Sequence, residues 1–122
     1  MLLFSFTLLL IAGLFGGVLA ALHLRTEAVP PKAAFGVLHG LLGTVGLAVL
    51  LLALRGPPHG LAMGVGSFGR VAASILAVAL LAGLVIVAGY FRRRRPPGLL
   101  IGIHATLAIS GIVILAAYTF MS

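Results

Sequence analysis

The sequence contains no Cys, Trp, Asp, Asn or Gln. Without cysteine there is no disulfide, no thiolate nucleophile and no cysteine-based zinc site. Glu27 is the single acidic residue, so no pair of carboxylates can divide acid and base roles. Ser5, Ser67, Ser74 and Ser110 have no acid–base partner to activate them, which argues against hydrolytic catalysis. Charge of either sign is scarce: charged residues make up 7% of the chain, against about 25% in a soluble domain. So few ions cannot cover a water-soluble surface, and a globular cytosolic enzyme is excluded.

Apolar residues are abundant, at 62% of the 122 residues, with 17 glycines besides. A hydrocarbon core about 30 Å thick needs roughly 20 apolar residues per crossing helix. Four stretches meet that length, at about 1–24, 33–54, 71–91 and 98–121. The alternating polarity of a β-barrel is missing, so each crossing satisfies its own backbone as a helix. The expected fold is all-α: an integral membrane four-helix up-down bundle forming one domain. Val18-Leu19-Ala20 resembles a signal cleavage site, but no basic region precedes the apolar run. The first span is therefore read as a retained helix.

Proline pairs and charge mark the breaks. Pro30-Pro31 and Pro96-Pro97 oppose helix continuation, and the stretch from Arg55 to Arg70, with Pro57, Pro58 and several glycines, reads as an irregular surface loop. Within it, Gly64 to Gly69 fits the spacing of a dinucleotide-binding glycine loop but lacks a preceding strand and a following acid. Arg25, Lys32 and Arg92 to Arg95 lie in the first and third breaks, whereas the middle break has Arg55 and Arg70. Short loops rich in Lys and Arg stay cytoplasmic, so both termini are expected outside the cytoplasm, with a bacterial inner membrane as the expected location. Topology and anionic lipid account for the basic balance; no soluble basic domain exists to hold nucleic acid.

Spans two and four read alike. Each follows a Pro-Pro pair and carries one histidine, His39 or His104. Small residues follow at +4 and +7, as Gly43 and Gly46 and then as Ala108 and Gly111, and this spacing shares the histidine face. Ala-Gly-Leu recurs at 12–14 and 82–84. The expected organisation is two tandem helical hairpins in parallel repeat. Gly13 and Gly17, Gly36 and Gly40, and Gly98 and Gly102 have the small-xxx-small spacing of close helix packing.

An ionisable residue inside a span faces a protein interior or cavity. His39 and His104 each lie about six residues into their spans, or roughly 9 Å deep at the helical rise. In an up-down bundle their helices occupy diagonal corners, about 11–14 Å apart for neighbours spaced at 8–10 Å. That gap leaves room for a metal macrocycle between inward-facing imidazoles and none for direct contact between them. Neutral imidazole is a good ligand for haem iron. The candidate site is therefore a bis-histidine haem b, with His39 and His104 on the iron and Gly43, Gly46, Ala108 and Gly111 beside the ring. Arg25, Lys32, Arg92, Arg93, Arg94 and Arg95 are candidate partners for its propionates. The other reading of the same pair is a scaffold role, with the imidazoles hydrogen-bonded to Thr44, Ser110 or backbone carbonyls. His23, beside Arg25, is expected at the interface and solvated, as a reserve ligand. His59 is expected in the outer loop, exposed.

On these residues, the chain resembles the membrane four-helix b-type cytochromes, loosely the cytochrome b561-like group. The resemblance implies electron transfer near the cytoplasmic face, with a quinol or another membrane redox protein as partner. It also implies a departure, because such proteins commonly carry two or more histidine pairs and this chain has one deep pair. The alternative function is a cofactor-free accessory or structural subunit of a larger membrane complex, or a homodimer. A small transporter ranks third: small multidrug exporters use an acid within a span and fluoride channels use asparagine, and the chain has neither.

Overall fold

A computed structural model describes residues 1–25 and 33–121. Glu27, the Pro30-Pro31 pair and Lys32 lie outside the described residues. The described chain forms α1 (Leu2–Arg25), α2 (Ala33–Ala53), a 3-10 turn (Leu61–Met63), α3 (Phe68–Phe91) and α4 (Gly98–Phe120), with no strand among these residues. All four helices are long and apolar enough to cross a membrane. Their outer faces are leucine, valine and phenylalanine, among them Leu3, Phe4, Leu14, Leu81 and Val113, all exposed. Such a surface suits hydrocarbon, where apolar exposure has no penalty.

The helices stand at the corners of a square. Neighbours are α1 with α2, α2 with α3, α3 with α4 and α4 with α1. The diagonals are therefore α1–α3 and α2–α4. Antiparallel order is fixed at both ends: Phe6 of α1 meets Phe120 of α4 edge to face at 5.2 Å, while Tyr90 at the end of α3 reaches His23 at the end of α1. Both termini lie at one end of the bundle, and Arg25 and Arg92 to Arg95 at the other.

The two hairpins repeat in their contacts. The ideal Cβ position of Gly46 lies against Leu9, and that of Gly111 against Leu76. Each glycine lets the paired helix of its own hairpin approach closely, the expected use of small residues in lipid. The correspondence matches Leu9 with Leu76 and Gly46 with Gly111. It does not match the Ala-Gly-Leu strings at 12–14 and 82–84, which occupy different levels of the repeat. Those strings share composition only.

Packing is concentrated in the half of the bundle nearer the termini. There Leu9, Leu47, Leu50, Ala72, Ala73, Leu76, Leu115 and Tyr118 form one buried cluster. The Tyr118 hydroxyl accepts a hydrogen bond from the His59 backbone N–H at 3.1 Å, tying the α2–α3 connection over this end. That connection is more ordered than an irregular loop: it contains the 3-10 turn, buries Val65, and ends at Phe68, so Arg70 lies in the first turn of α3. Gly60 has φ 67°, and a side chain there would strike Val65 and the Met121 carbonyl. Only glycine meets both demands.

At the opposite end, α3 stops in a Schellman motif. Arg94 N–H donates to the Gly89 carbonyl at 2.8 Å and Arg93 N–H to that of Tyr90 at 3.0 Å. Arg93 takes the left-handed conformation, φ 55°, which glycine usually occupies at this position. The reversal brings Arg95 back across the bundle, where its Nη2 donates to the His23 carbonyl at 3.2 Å.

Candidate functional site

His39 and His104 project into the bundle from diagonal corners and meet near its axis. Their ring centroids are 5.9 Å apart, with planes at 87°. This is a direct edge-to-face pair within the usual range for aromatic rings, which corrects the expectation that the diagonal forbids contact. The two histidine side chains themselves span most of the diagonal between the helix axes.

Each ring is held by the partner helix of its own hairpin in the same way. His39 Nδ1 lies 2.9 Å from the Ala12 carbonyl oxygen, and His104 Nδ1 lies 2.7 Å from that of Ala79. A carbonyl only accepts, so Nδ1 carries the proton and donates it. In the neutral ring, Nε2 is then left with its lone pair.

The local reason for this grip is a missing methyl group. Within α1 the Ala12 carbonyl already receives the Gly16 N–H, four residues on, as the helix requires. A Cβ on Gly16 would lie 2.6 Å from His39 Cε1; without it, the imidazole slides over Gly16 and reaches the carbonyl. Gly83 does the same beneath His104, with a looser 3.1 Å approach to Cε1. Hairpin one adds an aromatic buttress, with the Phe15 ring 6.3 Å from His39 and 6.4 Å from Phe35.

Neither Nε2 has a hydrogen-bond partner among the described residues. Neither is sealed in the interior, and both rings line two cavities of about 230 and 480 Å³. The smaller runs mainly between α2 and α3, and the larger mainly between α1 and α4. Those are the helix pairs that join different hairpins, so the hollow space is a slit along the seam between hairpins with the imidazoles across it. Small residues make up much of the shared wall: Gly13, Gly36, Gly83 and Ala108 line both cavities, with Val87 and Ile112 as the larger side chains.

The residues expected at the site divide sharply. His39, His104, Gly43 and Ala108 line the slit, the latter two at +4 from each histidine. Gly46 and Gly111 do not: at +7 they lie about 10 Å further along the helix, in the packed half, where they admit Leu9 and Leu76. Thr44 and Ser110 are not partners of the imidazoles; the Thr44 hydroxyl donates to its own helix at the Gly40 carbonyl. His59 is exposed, as expected, and touches Tyr118 through its backbone N–H and its ring, 5.7 Å between centroids. Arg25 and Arg92 to Arg95 are exposed at the bundle end, and none lines a cavity. Lys32 lies outside the described residues.

His23 differs from expectation. It is 6% exposed, its Nδ1 lies 3.2 Å from the Tyr90 hydroxyl, and it lines the larger cavity together with Tyr90. A hydrogen bond across the α1–α3 diagonal replaces the solvent contact that the nearby arginines suggested.

The donor set can be tested against a bound metal macrocycle by geometry. With a metal–imidazole nitrogen bond of about 2 Å and about 1 Å more from nitrogen to ring centre, two axial imidazoles on one metal place their centroids about 6 Å apart. The observed 5.9 Å is close to that spacing and is equally that of a direct ring contact. The Nδ1–carbonyl bonds are the outer-shell contacts that fix the tautomer and orientation of metal-binding histidines. The larger cavity alone lies within the span typical of ligand pockets, about 300–1,000 Å³. The residues fit the group. Comparison with known proteins adds no assignment: no family model, curated protein or solved structure matches the chain.

Proposed function

We propose that this protein is an integral membrane electron carrier whose His39 and His104 would hold one b-type haem in the slit between its hairpins. The observation that carries this reading is the matched pair of imidazoles, each with Nδ1 committed to a carbonyl and Nε2 open, spaced as two ligands of one metal. A scaffold role shares the Nδ1 bonds but leaves the two open nitrogens and the surrounding slit without a use.

The chain's own residues have distinct parts in this function. The Ala12 and Ala79 carbonyls hold the imidazoles in the ligating tautomer and raise their basicity. Gly16 and Gly83 allow that hold, while Gly13, Gly36 and Ala108 keep long side chains out of those parts of the wall. The apolar lining excludes water and sets a low dielectric, one of the means by which a protein tunes haem potential. When bound, haem supplies a one-electron ferric/ferrous couple. Held by both imidazoles, the group would exchange electrons in preference to binding small ligands. The positive-inside rule assigns the arginine-rich end to the cytoplasm, which puts the pair nearer that face and both termini on the other side. A quinol or a neighbouring membrane redox protein would exchange electrons with the pair along the seams between hairpins.

The test is a titration of purified apoprotein in detergent with haemin. The wild type should develop a Soret band that saturates at one equivalent and shifts on dithionite reduction. His39→Ala and His104→Ala should each lose the six-coordinate spectrum. Wild-type spectra from both variants reject the assignment.

A further inference from the structure

The larger cavity has unequal ends. Towards the termini it closes on Leu10, Ile112 and Val113, all apolar; towards the arginines it closes on His23 and Tyr90. Apart from the histidine pair itself, these two are the polar side chains of the lining. His23 is nine-tenths buried. Its Nδ1 is matched to the Tyr90 hydroxyl, its Nε2 has no hydrogen-bond partner among the described residues, and that nitrogen is not sealed. Behind it, Arg95 is fixed to the His23 carbonyl through Nη2. The result is a built polar end: a hydroxyl and an imidazole facing the cavity, with a guanidinium anchored at the rim.

Position along the bundle agrees on both sides. From Gly16, which seats His39, to His23 is seven residues of α1; from Gly83, which seats His104, to Tyr90 is seven residues of α3. At the helical rise both intervals are about 10 Å, comparable with the reach from the centre of a porphyrin to the ends of its acid side chains. A carboxylate buried without partners is strongly disfavoured, and no other described residue of the larger cavity's lining offers it a donor.

We infer that His23 and Tyr90, with Arg95 fixed behind them outside the lining, form the carboxylate-receiving end of the cavity, so that an acidic macrocycle lies with its acid groups towards the arginine-rich end of the bundle. This rests on the haem reading and sharpens it, because the His23–Tyr90 pair, joined by its own hydrogen bond, has one hydrogen left to donate to an acid group, backed by one arginine. The exposed run Arg92 to Arg94 has no part in it. Charge-assisted hydrogen bonds of this kind are the stronger class.

The experiment compares haemin with its dimethyl ester, which keeps the ring and iron but has no carboxylate. Wild-type apoprotein should bind haemin at least tenfold more tightly than the ester, with the same bis-imidazole spectrum for both. Tyr90→Phe, which removes a single oxygen, and His23→Leu should each reduce that preference severalfold while keeping the spectrum. Arg92→Ala and Arg94→Ala should leave the preference unchanged. Equal affinity for acid and ester in the wild type, or full discrimination in both Tyr90→Phe and His23→Leu, overturns the inference and leaves the bis-histidine site standing. Failure of the wild type to form a bis-imidazole complex with either compound overturns the haem reading itself, and this inference with it.

Discussion

The two ends of this bundle are built from the same few residue types yet packed in opposite ways. Near the termini, Leu50 and Leu115 have no exposed surface, and Gly46 and Gly111 are filled by Leu9 and Leu76. Near the arginines, glycines and alanines line open space and two imidazoles span it. In lipid, helices associate through close packing and hydrogen bonds and not through escape from water. A hollow half therefore gives up packing, and the filled half must hold the four helices together. The difference teaches that glycine has two uses here, decided by what lies opposite: a leucine makes it a packing site, and an imidazole or a slit makes it a cavity wall.

Substitutions on the two sides should separate these roles. The largest effect belongs to the hollow half. His39→Ala or His104→Ala should abolish six-coordinate haem in absorption spectra while helicity measured by circular dichroism stays near wild type. In the filled half, Leu50→Ala should cost about 2 kcal/mol of stability, the low end for a buried leucine because in lipid the loss is mainly packing. Unfolding in a denaturing detergent reads this, and the haem spectrum should not change. A spectrum lost along with stability would erase the distinction between the halves.

A finer contrast lies between the two glycine seats. Gly16→Ala places a methyl 2.6 Å from His39 Cε1, against 3.1 Å for Gly83→Ala and His104. Overpacking costs about 1–3 kcal/mol, so Gly16→Ala should weaken haem affinity by about tenfold or more, and Gly83→Ala by less. Equal effects in a haemin titration would show that the rings are not held as tightly as their distances indicate. The smallest effect tests the repeat itself. The Ser5 hydroxyl donates to the Gly46 carbonyl at 3.0 Å, fully buried, whereas Ala72 holds the matching place beside Gly111. Ser5→Ala should cost about 0.6 kcal/mol, a typical interhelical hydrogen bond in a membrane, without affecting haem.

Much of the fold was legible because lipid leaves few solutions. Twenty apolar residues between proline and arginine breaks can only be a crossing helix, and the helix limits from Leu2 to Phe120 follow those breaks closely. His39 and His104 stood out because ionisable side chains are rare at that depth. Their seats did not. Gly16 and Gly83 were two glycines among many, and what marks them, a carbonyl four residues earlier approached by an imidazole of the facing helix, exists only once helices are paired. The +4 positions, Gly43 and Ala108, fell within reach of the slit. The +7 positions, Gly46 and Gly111, shared the face but lay two turns away in the filled half, because a helical wheel discards depth. The burial of His23 was hidden by the sequence neighbourhood of Arg25. Its partner Tyr90 is remote in the chain and comes close only across the diagonal.

The central claim is that His39 and His104 ligate one iron between the hairpins, with their planes nearly perpendicular at 87°. The most direct measurement is the low-temperature electron paramagnetic resonance spectrum of the oxidised, haem-loaded protein. Two imidazoles in crossed planes should give a low-spin ferric signal of strongly anisotropic form, with a single prominent low-field feature. A high-spin ferric signal, or no haem iron signal from protein equilibrated with haemin, would contradict the account.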